Sequence, residues 1–548
     1  MSRKIYHLSF VIISFLYIYS AAYAQSVDDG KKFLKNESFT KATQVFKSLA
    51  IQNNNPEAWY YLGETYFEKG NFDSAKIAYQ KGIQSKSDFG LNYAGLAKVF
   101  YNSNNIPEGD KNIAEAFNIA DEKNVKILQA AADAYIKGGK DISIKAKDLL
   151  DKALVVTKKN KKKDKMNYIL LGDMYNVENN GSAAVENYKK AIDIDSSSEA
   201  FVSIGKIFEI IRNYSEAELS YLQAMKVEPD YSLAYKGMAE LMYSLAQVAQ
   251  RDKNQDPKLK YDQAIANWKR YIELSENTPE NQKRLINYVY KSKDYKTATD
   301  LINASLRDDP NNLYMLHMLA YSYSELNDDK NGIPAFSKYF SVAKDTDILI
   351  SDYEYNAKLL AKTGQDSLAI MQLQKASNMD TSRADLHSNI AVLYFKIKKW
   401  NKVIEEYNIK LQKTGLLTSQ EYFDLGRAYY FNKRFVEADT SFAMLIKAKP
   451  DLATGYLFRA RTNTSLDSLS EKGLAKPFYE KLLTLIESDS VKYKKEIVEA
   501  YSYLGYYYYL QNNIPTAKSY FQKVLVLDPE NPQAKEAVKK LGHEKDRK

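Results

Sequence analysis

A short pattern that keeps returning constrains this chain more than any other feature. The segment Trp59 to Tyr66 (WYYLGETY) comes back as Tyr168 to Tyr175 (YILLGDMY), Tyr422 to Tyr429 (YFDLGRAY) and Tyr501 to Tyr508 (YSYLGYYY). After each copy comes a turn, then a small residue with an aromatic four positions later: Ala75/Tyr79, Ala184/Tyr188, Ala438/Phe442 and Ala517/Phe521. The small residue of this second half can be followed down the chain, from Ala42 through Gly109, Ala146, Ala217, Ala264, Ala298, Ala335, Ala369 and Val403 to Ala475 and Ala517. Most steps are 33 to 38 residues, and those from Ala217 to Ala264 and from Ala475 to Ala517 are longer. A repeat of this length is one supersecondary unit used many times over.

Apolar residues three and four apart make each half an amphipathic helix. Gly63, Gly172, Gly205, Gly426 and Gly505 share one slot with Ala97, Ala239, Ala320 and Ala391, where a small side chain lets helices approach closely. Pro229, Pro310, Pro450 and Pro529 fall where a helix must stop. Asn-rich stretches, Asn102-Ser103-Asn104-Asn105 and Gln511-Asn512-Asn513, part the two helices of a pair. A single pair cannot bury its apolar face, so each leans on the next. The expected fold is all-α, a solenoid superhelix of about fourteen helix-turn-helix pairs. Asn531 to Leu541 would cap its end and the last residues would be disordered.

These residues resemble the tetratricopeptide repeat (TPR) family, with its 34-residue unit of Trp-Leu-Gly-Tyr, Ala, Phe, Ala and Pro. The resemblance covers about residues 25 to 531. Two units depart from it: Ile286 stands at the small slot of one, and Arg459 and Asn463 replace apolar residues in another. Loose packing or a shifted register is expected there.

No second domain is visible in the pattern. Residues 251–262 form a polar insertion inside one unit, expected to lengthen its helices or add a loop. At the N-terminus, Arg3 and Lys4 precede an apolar run from Leu8 to Tyr19, and Ala22-Tyr23-Ala24 follows. That order describes a secretory leader, residues 1–24, cleaved after Ala24. The run is short of the roughly 20 residues a membrane helix needs. The mature chain, with no later transmembrane segment, is expected in the periplasm or outside the cell.

Composition narrows the chemistry. Of 548 residues none is Cys, which removes disulfides, thiolate metal sites and a Cys nucleophile. Lys and Arg number 78 against 69 Asp and Glu, a mixed surface that does not indicate a nucleic-acid binder. Of four His, His7 leaves with the leader; His317, His387 and His543 have no metal-ligand spacing. His387 takes the slot of Trp59 and is expected to pack in the core. Lys158 to Lys165 is a basic run, read as a solvated turn in preference to a phosphate-binding patch. With no phosphate-cradling loop and no G-x-S-x-G setting, the chain is read as a non-enzyme without cofactor or metal.

In proteins this chain resembles, the first helix of each unit lines a concave groove that holds peptides. The resemblance carries the groove-facing slots onto Tyr60, Phe67, Tyr101, Tyr243, Tyr290, Tyr321, Phe395, Phe423, Tyr430, Tyr506 and Tyr509. Lys98, Lys206, Lys283, Asn287, Lys358 and Arg427 are interleaved with them. Rings and cations together suit protein interfaces, though Tyr also packs between helices. The cation-and-Asn clamp of the branch that binds chaperone tails is absent: Lys283 and Asn287 match its first element, but Met318, Ser351 and Tyr355 stand in the remaining places. The expected function is a protein- or peptide-binding scaffold of the cell envelope, with glycan or peptidoglycan binding as the alternative.

Overall fold

The computed structural model describes residues 26–121, 123–252 and 255–543. The expected leader, residues 1–24, and the tail residues 544–548 lie outside them. The described residues form helices in consecutive pairs, with no strand among them. The chain divides into two compact units at Leu301 and Ile302, a boundary to which the repeat pattern gave no clue.

In the first unit α1 (Val27–Lys35) pairs with α2 (Phe39–Gln52), α3 (Pro56–Glu68) with α4 (Phe72–Ser85), and α5 (Leu91–Asn102) with α6 (Ile106–Ile119). Then come α7 (Val125–Lys137) with the short α8 (Lys140–Ser143) and α9 (Lys145–Lys159), and α10 (Lys165–Val177) with α11 (Gly181–Ile194). Next are α12 (Ser198–Ile210) with α13 (Tyr214–Val227), α14 (Ser232–Arg251) with α15 (Lys258–Leu274), and α16 (Pro279–Lys291) with α17 (Tyr295–Asp308). The unit boundary falls inside α17. The second unit continues with α18 (Leu313–Glu325) and α19 (Asp329–Val342), α20 (Ile350–Lys362) and α21 (Asp366–Met379), and α22 (Ala384–Lys396) and α23 (Trp400–Thr414). It ends with α24 (Ser419–Phe431) and α25 (Phe435–Ala448), α26 (Ala453–Leu466) and α27 (Lys476–Ile486), α28 (Lys494–Leu510) and α29 (Ile514–Leu527), and the single α30 (Pro532–His543). Ala534 and Leu541 of α30 are buried against the last pair, the expected cap.

The small slot has a more specific cause than close helix approach. A Cβ built on Gly63 would lie 2.3 Å from the ring of Tyr79, and one on Gly95 would lie 2.2 Å from the same ring. Gly172 seats Tyr188 at 2.4 Å, Gly205 seats Tyr221 at 2.7 Å, and Gly426 seats Phe442 at 2.6 Å. So the first helix is kept small at one point because the aromatic of the second helix lies flat on it. Those rings are among the largest fully buried side chains.

Asn governs the turns. Asn71, Asn105, Asn180, Asn213 and Asn513 each cap the second helix of their pair, the side-chain oxygen accepting from the backbone N–H three residues on. The residue before each cap has positive φ: Gly70, Asn104, Asn179, Arg212 and Asn512. The polar insertion does the first thing expected of it. It lengthens α14 to 20 residues and α15 to 17, and residues 253–254 between them lie outside the described residues. The two irregular units pack tightly, contrary to expectation. Ile286 is fully buried. Arg459 binds Asp439 at 2.9 Å and lies 4.3 Å over Phe478, while Asn463 also donates to Asp439.

The first unit closes on itself. The turn of the first pair, Asn36-Glu37-Ser38, reaches the seventh pair, some 200 residues away in sequence. The N-cap residue of α14, Tyr231, makes no side-chain cap. Asn36 Oδ1 supplies it instead, accepting from the Ser232 N–H at 2.8 Å, while the Asn36 carbonyl accepts from Ser232 Oγ at 2.9 Å. At the other end of the pair, Ser38 Oγ donates to the carbonyl of Ser275, the C-cap of α15, at 2.6 Å. Between them Glu37 accepts from Tyr271 at 2.6 Å and from Lys236 at 2.9 Å. Of the three turn residues, Asn36 and Ser38 are buried and Glu37 is partly exposed.

Candidate functional site

The closed turn surrounds a cavity of about 670 Å³. Its wall comes from the first helices of successive pairs: α1, α3, α5, α7, α10, α12 and α14 all contribute. First helices supply most of this lining, with Phe39 of α2 beside them.

One slot decides the chemistry of the wall. The residue after the small one in each first helix is Glu64, Lys98, Asp133, Asp173, Lys206 and Glu240 in turn. Lys98 is 1% exposed and bridges Glu64 at 2.7 Å and Asp133 at 2.5 Å. Burial pulls its ammonium down, but the two carboxylates outweigh it and hold the pKa well above the usual lysine value. Lys98 was expected on the groove surface and lies instead inside this bridge. Lys137 pairs with Glu68 at 2.7 Å, and Lys35 pairs with Glu228 at 2.5 Å while covering the ring of Tyr231.

Asp173 and Glu199 are treated differently. Asp173 receives the hydroxyl of Tyr188 at 2.6 Å and no cation. Burial pushes its carboxyl up to about 7, against the opposing hydrogen bond from Tyr188. Burial also raises Glu199, and the nearby Lys35 and Lys165 pull the other way. Each of those lysines is already engaged, Lys35 by Glu228 and Lys165 by Asp195 at 2.5 Å. The acidic members of the slot, Glu64, Asp133 and Asp173, are not among the rings and cations expected from sequence. The recurring charged residue after each Gly or Ala would have revealed them.

The candidates named from sequence separate into several groups. Tyr60 is on the cavity wall, 8% exposed. Tyr101 is buried, stacked on Tyr135 with ring centres 4.9 Å apart and donating to Asp110 at 2.7 Å; it is packing, not groove surface. Tyr243 is half-buried and stacks on Tyr288 at 4.4 Å, and Asn287 reaches its hydroxyl at 3.4 Å. Tyr290 is half-buried edge-on to Tyr295, and Lys283 is exposed.

In the second unit, Tyr321 donates to the fully buried carboxylate of Asp352 at 2.6 Å, as do His317 and Tyr339 at 2.9 and 3.0 Å. Arg427 lies 4.6 Å over Phe395 and 5.3 Å over Phe423. Tyr430 is half-buried beside Phe435, whereas Tyr506 and Tyr509 are 45% and 44% exposed. His387 is a core residue as expected, with Nδ1 2.7 Å from Glu406. The run Lys158 to Lys165 ends α9, turns, and opens α10; several of its lysines line a second hollow of about 580 Å³.

Among the described residues no group of His, Asp or Glu is placed to hold a metal ion, and no helix is long and apolar enough to cross a membrane. The tetratricopeptide repeat profile matches residues 56–88 and 498–531. No curated protein sequence matches the chain. Among solved structures, the C-terminal part of a TPR repeat-containing protein from Cytophaga hutchinsonii is 34% identical. The match covers 46% of this chain and 98% of that one, with a TM-score of 0.38. MamA is 20% identical over 32% of this chain and 94% of its own, TM-score 0.28. Yeast Tom70 is 13% identical over 92% and 99%, TM-score 0.26. With the profile matched near both ends and a third of residues shared along nearly the whole Cytophaga chain, this chain belongs to the tetratricopeptide repeat family.

Proposed function

We propose that the protein is a non-catalytic scaffold of the cell envelope that binds partner proteins or peptides on the faces formed by its first helices. The observation that carries the reading is the closed turn of the first unit, in which seven successive first helices present side chains to one cavity. A stacked array of this kind offers extended concave surface at little entropic cost, because the helices are already ordered by their neighbours. The second unit adds exposed rings at Tyr506 and Tyr509 and an arginine lying on phenylalanines at Arg427. Aromatic and Arg side chains are the usual anchors of protein interfaces. The envelope assignment rests on the leader read in residues 1–24.

The test is cross-linked affinity capture by the mature protein from its own envelope fraction, with a Lys283→Glu/Tyr506→Ala/Tyr509→Ala variant alongside. A small, reproducible set of proteins that is depleted in the variant is the expected result. Sedimentation of the protein with purified cell-wall sacculi, without protein enrichment, would replace this reading with glycan binding.

A further inference from the structure

Two tyrosines of the cavity wall have buried rings and hydroxyls left open to the cavity. Tyr60 is 8% exposed and Tyr231 is 2% exposed; both line the cavity, and neither hydroxyl has a hydrogen-bond partner among the described residues. Neither hydroxyl is among the fully buried unpaired atoms, so each keeps its cavity side open to a partner. Other buried tyrosines of this unit have one already: Tyr79 donates to Glu64 at 2.6 Å and Tyr188 to Asp173 at 2.6 Å. The two open hydroxyls share the cavity with Asp173 and Glu199, the carboxyls that no lysine neutralises.

Most of the remaining wall charges are paired, while Lys126, also on the wall, is in no salt bridge among the described residues. Glu64 and Asp133 share Lys98, Glu68 has Lys137, and Glu37 has Lys236 and Tyr271. Lys31 and Lys35 turn to Glu57 and Glu228, which lie outside the lining. Six acids and four lysines line the wall, so carboxylates are in excess there. Two carboxyls and two phenol oxygens accept several N–H donors at once, and a site built for donors holds an ammonium or guanidinium strongly when water is displaced. The volume, about 670 Å³, is that of a ligand pocket and exceeds what one side chain fills.

We infer that the cavity of the first unit receives a lysine or arginine side chain from a partner polypeptide, held by Asp173, Glu199 and the hydroxyls of Tyr60 and Tyr231. This rests on the protein-binding reading above and names the chemistry of one recognised residue. A polypeptide source is favoured over a free amine because the cavity has room for the residues flanking the basic one, and because apolar side chains, Leu91, Ile169 and Leu170, share its wall.

Binding of labelled tetralysine, tetraglutamate and uncharged tetraserine peptides to the full mature protein, by fluorescence anisotropy at low salt, tests it. Spermidine serves as the free-amine competitor. Tetralysine should bind, and Asp173→Asn/Glu199→Gln should weaken it about tenfold or more, as loss of charge-assisted bonds requires. Tyr60→Phe, which keeps the ring, should weaken it about threefold. Glu216→Gln, an exposed acid elsewhere in the unit, should change nothing. A circular-dichroism melt of each variant separates lost binding from lost folding. Equal binding to the double variant, or to tetraglutamate, overturns the inference. Spermidine that displaces tetralysine completely at equal charge concentration overturns the polypeptide source. Partner capture that survives the double variant leaves the scaffold reading intact and removes only this site.

Discussion

Tyr79 shows how much one position can control. Its ring lies between Gly63 and Gly95, each too close to accept a Cβ, so it cannot retreat from either side. Gly63→Ala gains about 1 kcal/mol of helix propensity and meets an overpacking penalty of about 1–3 kcal/mol. Overpacking should win, and the melting temperature should fall. Adding Tyr79→Leu to that variant should recover part of the loss. Asp173 behaves oppositely. Its carboxyl titrates near 7 in the folded chain and near the usual 3.8 when unfolded, so the native state holds the proton more tightly. Stability from this group is therefore greatest below about pH 4, declines as pH rises towards 7, and is lowest above that. The charges facing it are Glu199, Asp133 and Lys137, with the Tyr188 hydroxyl in contact. Asp173→Asn should stabilise the protein by about 2 kcal/mol at pH 8 and leave it unchanged at pH 4, read by thermal melts at both. A side chain whose removal raises stability and lowers ligand binding is acting for the ligand.

At the level of elements, the turn of the first pair does for α14 and α15 what their own sequences do not. Tyr231 cannot cap α14, so Asn36 does, and Ser38 takes the free carbonyl at the end of α15. Asn36→Ala should remove a helix cap of about 1 kcal/mol and leave the Ser232 N–H buried and unpaired. Hydrogen exchange should then quicken in the first turn of α14 and in α1, with α10 and α11 unaffected. Equal quickening throughout the unit would mean that Asn36 supports global stability and not the seam. The pairs themselves were legible from sequence because the signals are local: a small slot and its ring, and in many pairs an Asn cap after a positive-φ residue. The tight packing around Arg459 was not, since Asp439 comes from the preceding pair and Phe478 from the partner helix across a long connection.

For the molecule as a whole, the repeat family is established and its location is an expectation from residues 1–24. The mature protein recovered from its producing cells should begin at Gln25, by N-terminal sequencing, and should fractionate outside the cytoplasm. An intact Met1 would remove the envelope assignment while leaving the binding reading in place.

Helix pairing, pair count and the capping helix were determined by the sequence alone, because a period of about 34 residues and local caps act over distances the chain covers in a few turns. The tertiary structure alone decided that the first pair meets the seventh, since a small rotation between pairs accumulates in three dimensions and leaves no mark in any single repeat. It also decided which tyrosines are packing and which are wall. Tyr60 and Tyr101 were both expected on the groove face, yet Tyr101 finds Tyr135 and Asp110 while Tyr60 has no hydrogen bond among the described residues. Burial and hydrogen-bond partners are properties of the closed turn, and identical residue types cannot announce them beforehand.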